Sequence, residues 1–104
     1  VVSTLAGSTR GASDGTGTNA QFSAPNGIAV DTQGDIYVAD RNNHTIRKVT
    51  PTGEVTTLTG GPSGYVDGTT ADARFSSPSG IAVDTQGNVY ISDMGNDKIR
   101  KITM

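Results

Sequence analysis

Residues 25–40 read PNGIAVDTQGDIYVAD, and residues 78–93 read PSGIAVDTQGNVYISD. Each copy has two short apolar runs, rich in Ile, Val and Tyr, on either side of the same DTQG sequence. β-branched and aromatic residues favour strands, and Asp-x-x-Gly favours a tight turn. Each copy is therefore predicted to be a β-hairpin, and the rest of the chain connects the two hairpins.

The repetition extends well beyond the hairpins. Asp14 aligns with Asp67 and Phe22 with Phe75, a constant shift of 53 positions without a gap. Further strands are predicted at 1–6 (VVSTLA), 45–50 (TIRKVT), 54–59 (EVTTLT) and 98–103 (KIRKIT). A period near 50 residues fits a four-stranded β-propeller blade and is too long for a leucine-rich or helix-pair repeat. The sequence therefore predicts an all-β chain with two propeller blades.

The predicted strands are unevenly shared between the blades. Residues 7–59 form a long loop and a complete first blade, whereas residues 60–104 form a loop and a second blade that lacks its own outer strand. An open strand leaves unpaired N–H and C=O groups, and two blades cannot close a ring. We expect residues 1–6 of one copy to complete the second blade of a neighbouring copy, closing a ring head to tail. The residues expected at this oligomer interface are Val2, Thr4, Leu5, Ile99, Lys101 and Ile102.

The repeated pattern P-x-G-I-A-V-D-x-x-G-[DN]-[IV]-Y-[VI]-[AS]-D, followed by N-x-x-I-R-K-[VI], resembles the NHL repeat. The loop pattern D-G-x-x-x-x-A-x-F-x-x-P at 14–25 and 67–78 is similar to the long-loop NHL repeats of many bacterial proteins. The resemblance implies six blades, hence a homotrimer, and leaves a tetramer with eight blades as an alternative. Only two repeats occur, which suits a fragment or an engineered protein. Some family relatives are metal-dependent lyases or lactonases and others bind RNA, but neither residue set can be placed on this sequence.

Composition narrows the classes of partner and cofactor. The chain has 104 residues, a net charge of −2 and no cysteine. Acidic and basic residues are interspersed, so the sequence shows no basic patch of the kind that binds nucleic acid or an anionic membrane. No apolar run reaches the roughly 18 residues of a membrane-spanning helix. Without cysteine, thiolate metal sites are excluded. We expect no cofactor.

Acidic turn residues have a structural explanation that competes with metal binding. Asp31 and Asp84 end the first strand of each hairpin and precede a Gly turn, where a carboxylate accepts from the backbone N–H two residues on. Asp40 and Asp93 end the second strand before another turn, and the same role is predicted for them. The DTQG[DN] sequence lacks the bidentate Glu of a calcium loop. We therefore expect turn acceptors.

The remaining polar candidates are also assigned structural roles. His44 is the only histidine and has no partners at motif spacing, so a solvated turn residue is predicted. Arg47-Lys48 and Arg100-Lys101 are predicted to be solvated, with their aliphatic stems packed on neighbours. Phe22 and Phe75 are predicted to anchor the long loops, and the central tyrosines of the hairpins to be core rings with hydrogen-bonded hydroxyls.

The predicted function is a non-catalytic structural module that assembles with itself. The alternative is a protein-, peptide- or carbohydrate-binding scaffold that uses the rim of long loops. The candidate rim residues are Arg10, Asp14, Asn19, Tyr65, Asp67 and Arg74. A lyase- or lactonase-like enzyme is the third hypothesis, and no catalytic or metal residue is assigned to it.

Overall fold

The computed structural model describes all 104 residues and contains two antiparallel sheets. Eight strands are formed: β1 (Gly15–Thr16), β2 (Pro25–Val30), β3 (Ile36–Asp40), β4 (Thr45–Val49), β5 (Glu54–Gly60), β6 (Pro78–Val83), β7 (Val89–Asp93) and β8 (Lys98–Ile102). Three short 3-10 turns lie at Gly17–Asn19, Arg41–Asn43 and Met94–Asn96. No helix of the chain has the length and apolarity required to cross a membrane.

The first blade is the sheet β1-β5-β4-β3-β2, and the second blade is the sheet β6-β7-β8. All neighbouring strands are antiparallel, as the hairpin sequences predict. The two-residue strand β1 comes from the long loop and pairs with the outer strand β5, with Gly15 opposite Val55. The long loop of the first blade also contains the short 3-10 turn at Gly17–Asn19.

The DTQG turns close both hairpins in the same way. In the first, the carboxylate of Asp31 accepts from the backbone N–H groups of Gln33 at 2.9 Å and Asp35 at 3.0 Å. Gly34 has φ of 85°, a conformation that glycine adopts without a Cβ clash. In the second, Asp84 accepts from the backbone N–H of Gln86 at 2.9 Å. The predicted turn-acceptor role of both aspartates is confirmed.

The N-terminal segment lies outside the two sheets of its own chain. Residues 1–6 form no strand within the chain, and Val1 and Val2 are fully exposed. Within the single chain these residues have no partner edge, and β-branched residues alone do not hold a strand without one. The expectation that residues 1–6 pair with a neighbouring copy stays a prediction.

The larger apolar core lies between the two blades. Tyr37, Ala39 and Ile46 of the first blade pack against the second blade. The second blade contributes Ala73, Phe75, Val89, Ile91 and Ile102. A smaller cluster lies on the opposite side of the first blade and consists of Ala20, Val38, Val49 and Val55, with Phe22, Ile36 and Ala6 at its edge. Each blade therefore presents an apolar side to its neighbour, and one apolar side of each blade has no neighbour within the chain.

Candidate assembly interface

The side of the first blade that faces away from the second blade is called here the blade-1 free face. Ile28 is 64% exposed on this face, whereas the equivalent Ile81 is partly buried against the inter-blade core. Pro25 is exposed, whereas the equivalent Pro78 is fully buried. An apolar hollow on this face is lined by Leu5, Ala6, Phe22, Pro25, Ile28, Ile36, Val38 and Val49. Ile28 and Pro25 of the first blade are exposed because no second blade covers this face, whereas their equivalents in the second blade are covered by the first.

The side of the second blade that faces away from the first blade is the blade-2 free face. Ile99 is 75% exposed here, whereas the equivalent Ile46 is completely buried between the blades. Ser92 is exposed and Tyr90 half-buried, whereas their equivalents Ala39 and Tyr37 are both buried. The blade-2 free face therefore repeats the tyrosine and isoleucine of the surface that the first blade uses to contact the second, with Ser92 in place of Ala39.

The outer edge of β8 borders a groove of about 350 Å³. Arg100 and Ile102 of β8 line one side of this groove, and Gly68 and Thr69 line another. In the first blade the corresponding elements are β4 and β1, and the strand β5 lies between them with pairing on both edges. The groove beside β8 therefore has the position that the fourth strand occupies in the complete blade.

In each blade one buried arginine pairs with two aspartates and holds the long loop against the sheet. Arg47 donates to the Asp40 carboxylate at 2.9 Å and to Asp14 at 2.8 Å, and the Arg47 and Asp40 side chains are 1% and 0% exposed. Arg47 also donates to the carbonyl oxygens of Gln21 and Ser13. The loop is thus held to β4 by charge-assisted hydrogen bonds, which are the stronger class.

The second blade repeats this arrangement of one arginine and two aspartates, but its loop aspartate is more exposed to solvent. Arg100 donates to Asp93 and to Asp67, both at 2.8 Å, and Asp67 is 73% exposed where its equivalent Asp14 is 48% exposed. Asp14 also accepts from the Thr57 hydroxyl of β5 at 2.9 Å, and the second blade has no strand in that position.

The prediction that these arginines are solvated is wrong, because the side chains of Arg47 and Arg100 are only 1% and 7% exposed. The predicted turn role of Asp40 and Asp93 is also wrong, because neither carboxylate accepts from the backbone N–H two residues on. Asp40 accepts from the Ser23 N–H, the Asn43 amide and Arg47, and Asp93 accepts from the equivalent groups of the second blade.

Four of the six candidate rim residues have side chains that contact other groups of the chain. Asp14 and Asp67 are engaged with arginines, and Arg74 donates to the carbonyl oxygens of Asp72 and Ala73. The Tyr65 ring lies 4.9 Å from the Arg100 guanidinium and 4.8 Å from Lys98 Nζ, within cation–π range. Arg10 and Asn19 are exposed. The ligand-binding role of these six residues stays a prediction.

His44 is part of the junction between the blades. Its Nδ1 accepts a 2.9 Å hydrogen bond from the backbone N–H of Ser77 in the second blade. Both residues have positive φ, 57° for His44 and 52° for Ser77. The prediction of a solvated turn histidine is wrong, because its partner is a backbone group 33 residues away that no local motif reveals.

The tyrosine and aspartate at each hairpin turn influence one another. Tyr37 is buried and donates to Asp31 at 3.2 Å, and burial together with the Asp31 charge raises the pKa of Tyr37. Tyr90 is half-buried and donates to Asp84 at the same distance. Desolvation acts to raise the pKa of Asp84, but hydrogen bonds from Asn88, Gln86 and Tyr90 together lower it. The predicted hydrogen bonds of the tyrosine hydroxyls are confirmed.

Both predicted loop anchors pack against the apolar clusters. Phe75 is buried in the inter-blade core, and Phe22 is half-buried at the edge of the smaller cluster, so both rings pack under their loops. The chain brings no group of three or more His, Cys, Asp or Glu side chains into metal-binding proximity.

Comparison with known proteins places this geometry in a family. The NHL repeat matches residues 22–49 and 75–102, more than half of the chain. The chain is 36% identical over 96 residues to the chloroplastic protein SUPPRESSOR OF QUENCHING 1 of Arabidopsis thaliana, covering 90% of the chain and 9% of that protein. It is 34% identical over 92 residues to human NHL repeat-containing protein 2, covering 84% of the chain and 13% of that protein.

Solved structures share the fold. A crystal structure of an auxiliary nutrient binding protein from Bacteroides thetaiotaomicron superposes with a TM-score of 0.85 at 38% identity, over 91% of this chain and 26% of that one. A protein of unknown function from the same organism superposes with a TM-score of 0.87 at 32% identity, over 93% and 26%. The chain therefore spans about a quarter of these structures. On the matched repeats and their two superposable blades, the chain belongs to the NHL repeat family.

Proposed function

We propose that this chain is a non-catalytic structural module that assembles with itself head to tail into a closed β-propeller. A homotrimer with six blades is the preferred ring, and a homotetramer with eight blades is the alternative. In this arrangement the blade-2 free face of one copy packs on the blade-1 free face of the next. Heterologous contacts of this kind close a ring when the rotation between copies divides a full circle.

The single observation that carries the proposal is the match between the free faces and the existing junction. Within the chain, Ile46 of the first blade is buried against the second blade. Its equivalent Ile99 is exposed on the blade-2 free face, and the surface equivalent to the one that covers Ile46 is the hollow around Phe22, Val38 and Val49. A second copy thus supplies a surface of the same chemistry and spacing as the one already packed inside the chain.

Strand exchange follows from the same equivalence. In the first blade Val49 of β4 lies opposite Val55 of β5, and Lys48 lies opposite Thr56. A shift of 53 residues places Ile102 of one copy opposite Val2 of the next, and Lys101 opposite Ser3. Residues 1–6 would then fill the groove beside β8 and pair its free N–H and C=O groups.

The mass of the chain in solution tests the proposal. Light scattering is expected to give three or four times the chain mass of 10.6 kDa, with a larger assembled fraction at higher protein concentration. Deleting residues 1–6 is expected to lower the assembled fraction, because one strand is removed from every junction. A folded monomer at high concentration contradicts the proposal.

A binding scaffold is the second candidate function, and the similar crystal structures favour it. Two of them, from Bacteroides thetaiotaomicron and Bacteroides ovatus, are described as auxiliary nutrient binding proteins. In this chain the long loops carry Tyr65 beside two cationic side chains, together with the exposed Arg10 and Asn19. Titrating the assembled chain with peptides and oligosaccharides tests this function, and no binding at millimolar concentration contradicts it.

A further inference from the structure

The junction between the two blades contains one polar contact whose chemistry changes between the repeats. Ser77 N–H donates to His44 Nδ1 at 2.9 Å. The residue equivalent to His44 in the second blade is Asp97, and the residue equivalent to Ser77 in the first is Ala24. Imidazole nitrogen and carboxylate oxygen are both hydrogen-bond acceptors, so the residue at either position is able to accept a hydrogen bond.

The two residues of this contact and their equivalents in the other repeat have nearly the same φ angles. His44 and Asp97 have φ of 57° and 56°, and Ser77 and Ala24 have φ of 52° and 53°. Positive φ is uncommon for residues other than glycine, and Asn, Asp and His are the types that tolerate it best. The backbone at Asp97 and Ala24 therefore already has the conformation that accompanies the first contact.

Neither group of the second contact is used within the chain. Asp97 is exposed and its carboxylate has no hydrogen-bond partner, and Ala24 is exposed and its N–H likewise has none. Asp97 borders a cleft of about 250 Å³ that is also lined by Ser92, Met94, Lys98 and Ile99. The equivalent surface of the first blade contacts the corner that contains Ser77 and the fully buried Pro78.

We infer that the cleft on the blade-2 free face receives the Ala24–Pro25 corner of a second copy, and that the Asp97 carboxylate accepts from the Ala24 N–H. This inference rests on the proposed function, since the donor and the acceptor belong to different copies. Asp97 is a positioning residue for the junction: it fixes how one blade docks on the next, while the apolar residues around Ile99 supply the buried area.

Substitutions at Asp97 separate its acceptor function from its backbone function. Asp97→Gly removes the acceptor and tolerates positive φ, whereas Asp97→Asn and Asp97→His retain an acceptor and also tolerate it. A hydrogen bond to a charged group has a strength that corresponds to roughly a 10- to 100-fold change in dissociation constant. Asp97→Gly is therefore expected to raise the dissociation constant of each junction by that factor, and the other two variants to stay within a few-fold of the original chain.

Amide hydrogen exchange gives the second readout. The Ala24 amide is expected to exchange slowly in the assembled original chain and fast in Asp97→Gly, at a concentration where both are assembled. The Ser77 amide is the internal control, because its acceptor is His44 of the same chain and it stays protected in every variant. A monomeric original chain overturns the proposed function and this inference together. A closed ring in which Asp97→Gly changes neither the dissociation constant nor Ala24 exchange overturns only the role of Asp97.

Discussion

Replacing Ile99 by alanine tests blade docking with a magnitude that follows from the structure. Ile99 is 75% exposed in the single chain, whereas its equivalent Ile46 is 0% exposed. The substitution removes three carbons at about 0.8 kcal/mol for each buried CH₂. Scaled by the three-quarters that remain to be buried, the loss is about 2 kcal/mol for each junction. That free energy corresponds to roughly a 30-fold higher dissociation constant for each junction.

Sedimentation velocity over a range of concentrations measures this change. The matched control is Ile46→Ala, which leaves a cavity in the core of the chain and is expected to lower its unfolding free energy by about 2–5 kcal/mol. Ile99→Ala is expected to leave the fold of the dissociated chain unchanged by circular dichroism. If Ile99→Ala assembles as tightly as the original chain, the docking of the two free faces is refuted.

Three further predictions concern the blade junction, the buried ion pair and the hairpin turn. A Cβ at Gly27 would collide with the backbone of Ser79, so Gly80→Ala, its equivalent in the second blade, is expected to block assembly without unfolding the chain, as measured by light scattering. Arg47→Leu leaves the buried Asp40 carboxylate without its cation and is expected to cost about 3–5 kcal/mol in urea unfolding. The pKa of Asp84 is lower in the folded chain than in the unfolded chain, where it has the ordinary value of about 3.9. The ionised carboxylate therefore stabilises the fold above that pH, and this stabilisation is lost as the pH falls through the pKa of the folded chain. Melting temperatures between pH 2 and pH 6 are expected to show a smaller acid-side fall in Asp84→Asn.

Each of these predictions has a contradicting outcome. Within the chain a Cβ on Gly80 meets only Ser92 Cβ at 3.5 Å, an ordinary contact, so the Gly80→Ala chain is expected to stay folded, and its normal assembly would contradict the junction geometry. An Arg47→Leu chain of unchanged stability would show that the buried pair contributes nothing net. Identical acid profiles for the original chain and Asp84→Asn would contradict the stabilising role of the turn carboxylate.

Most of the fold could be predicted from the repeat, because strand and turn residues that are close in sequence determine each hairpin. The alternation of apolar runs with DTQG turns is sufficient to define the hairpins β2–β3 and β6–β7 and the turn role of Asp31 and Asp84. The constant shift of 53 residues then predicts that the second blade copies the first. Residues 1–6 are different, because a strand requires a partner edge and the isolated chain offers none that they use.

The polar contacts of the blades could not be predicted from local sequence. Arg47 lies in a strand where a charged residue is usually solvated, and one of its carboxylate partners is Asp14, 33 residues earlier in the sequence. His44 depends on a backbone N–H that only the packing of two blades brings near. One signal was available, since Asp14, Asp40 and Arg47 all recur at the same shift as Asp67, Asp93 and Arg100. Joint recurrence of opposite charges indicates a shared contact more strongly than any one of the residues does.

A disulfide between copies tests the central claim most directly, because the chain contains no cysteine of its own. Lys48 and Thr56 face each other across β4 and β5, and the repeat places Lys101 opposite Ser3 of another copy. Facing positions in antiparallel strands lie within disulfide range. The variant Ser3→Cys with Lys101→Cys is expected to form covalent trimers or tetramers on a non-reducing denaturing gel, whereas Lys48→Cys with Thr56→Cys forms only monomers with an internal bond. A Ser3→Cys and Lys101→Cys chain that stays monomeric on that gel would contradict the completion of one copy by another.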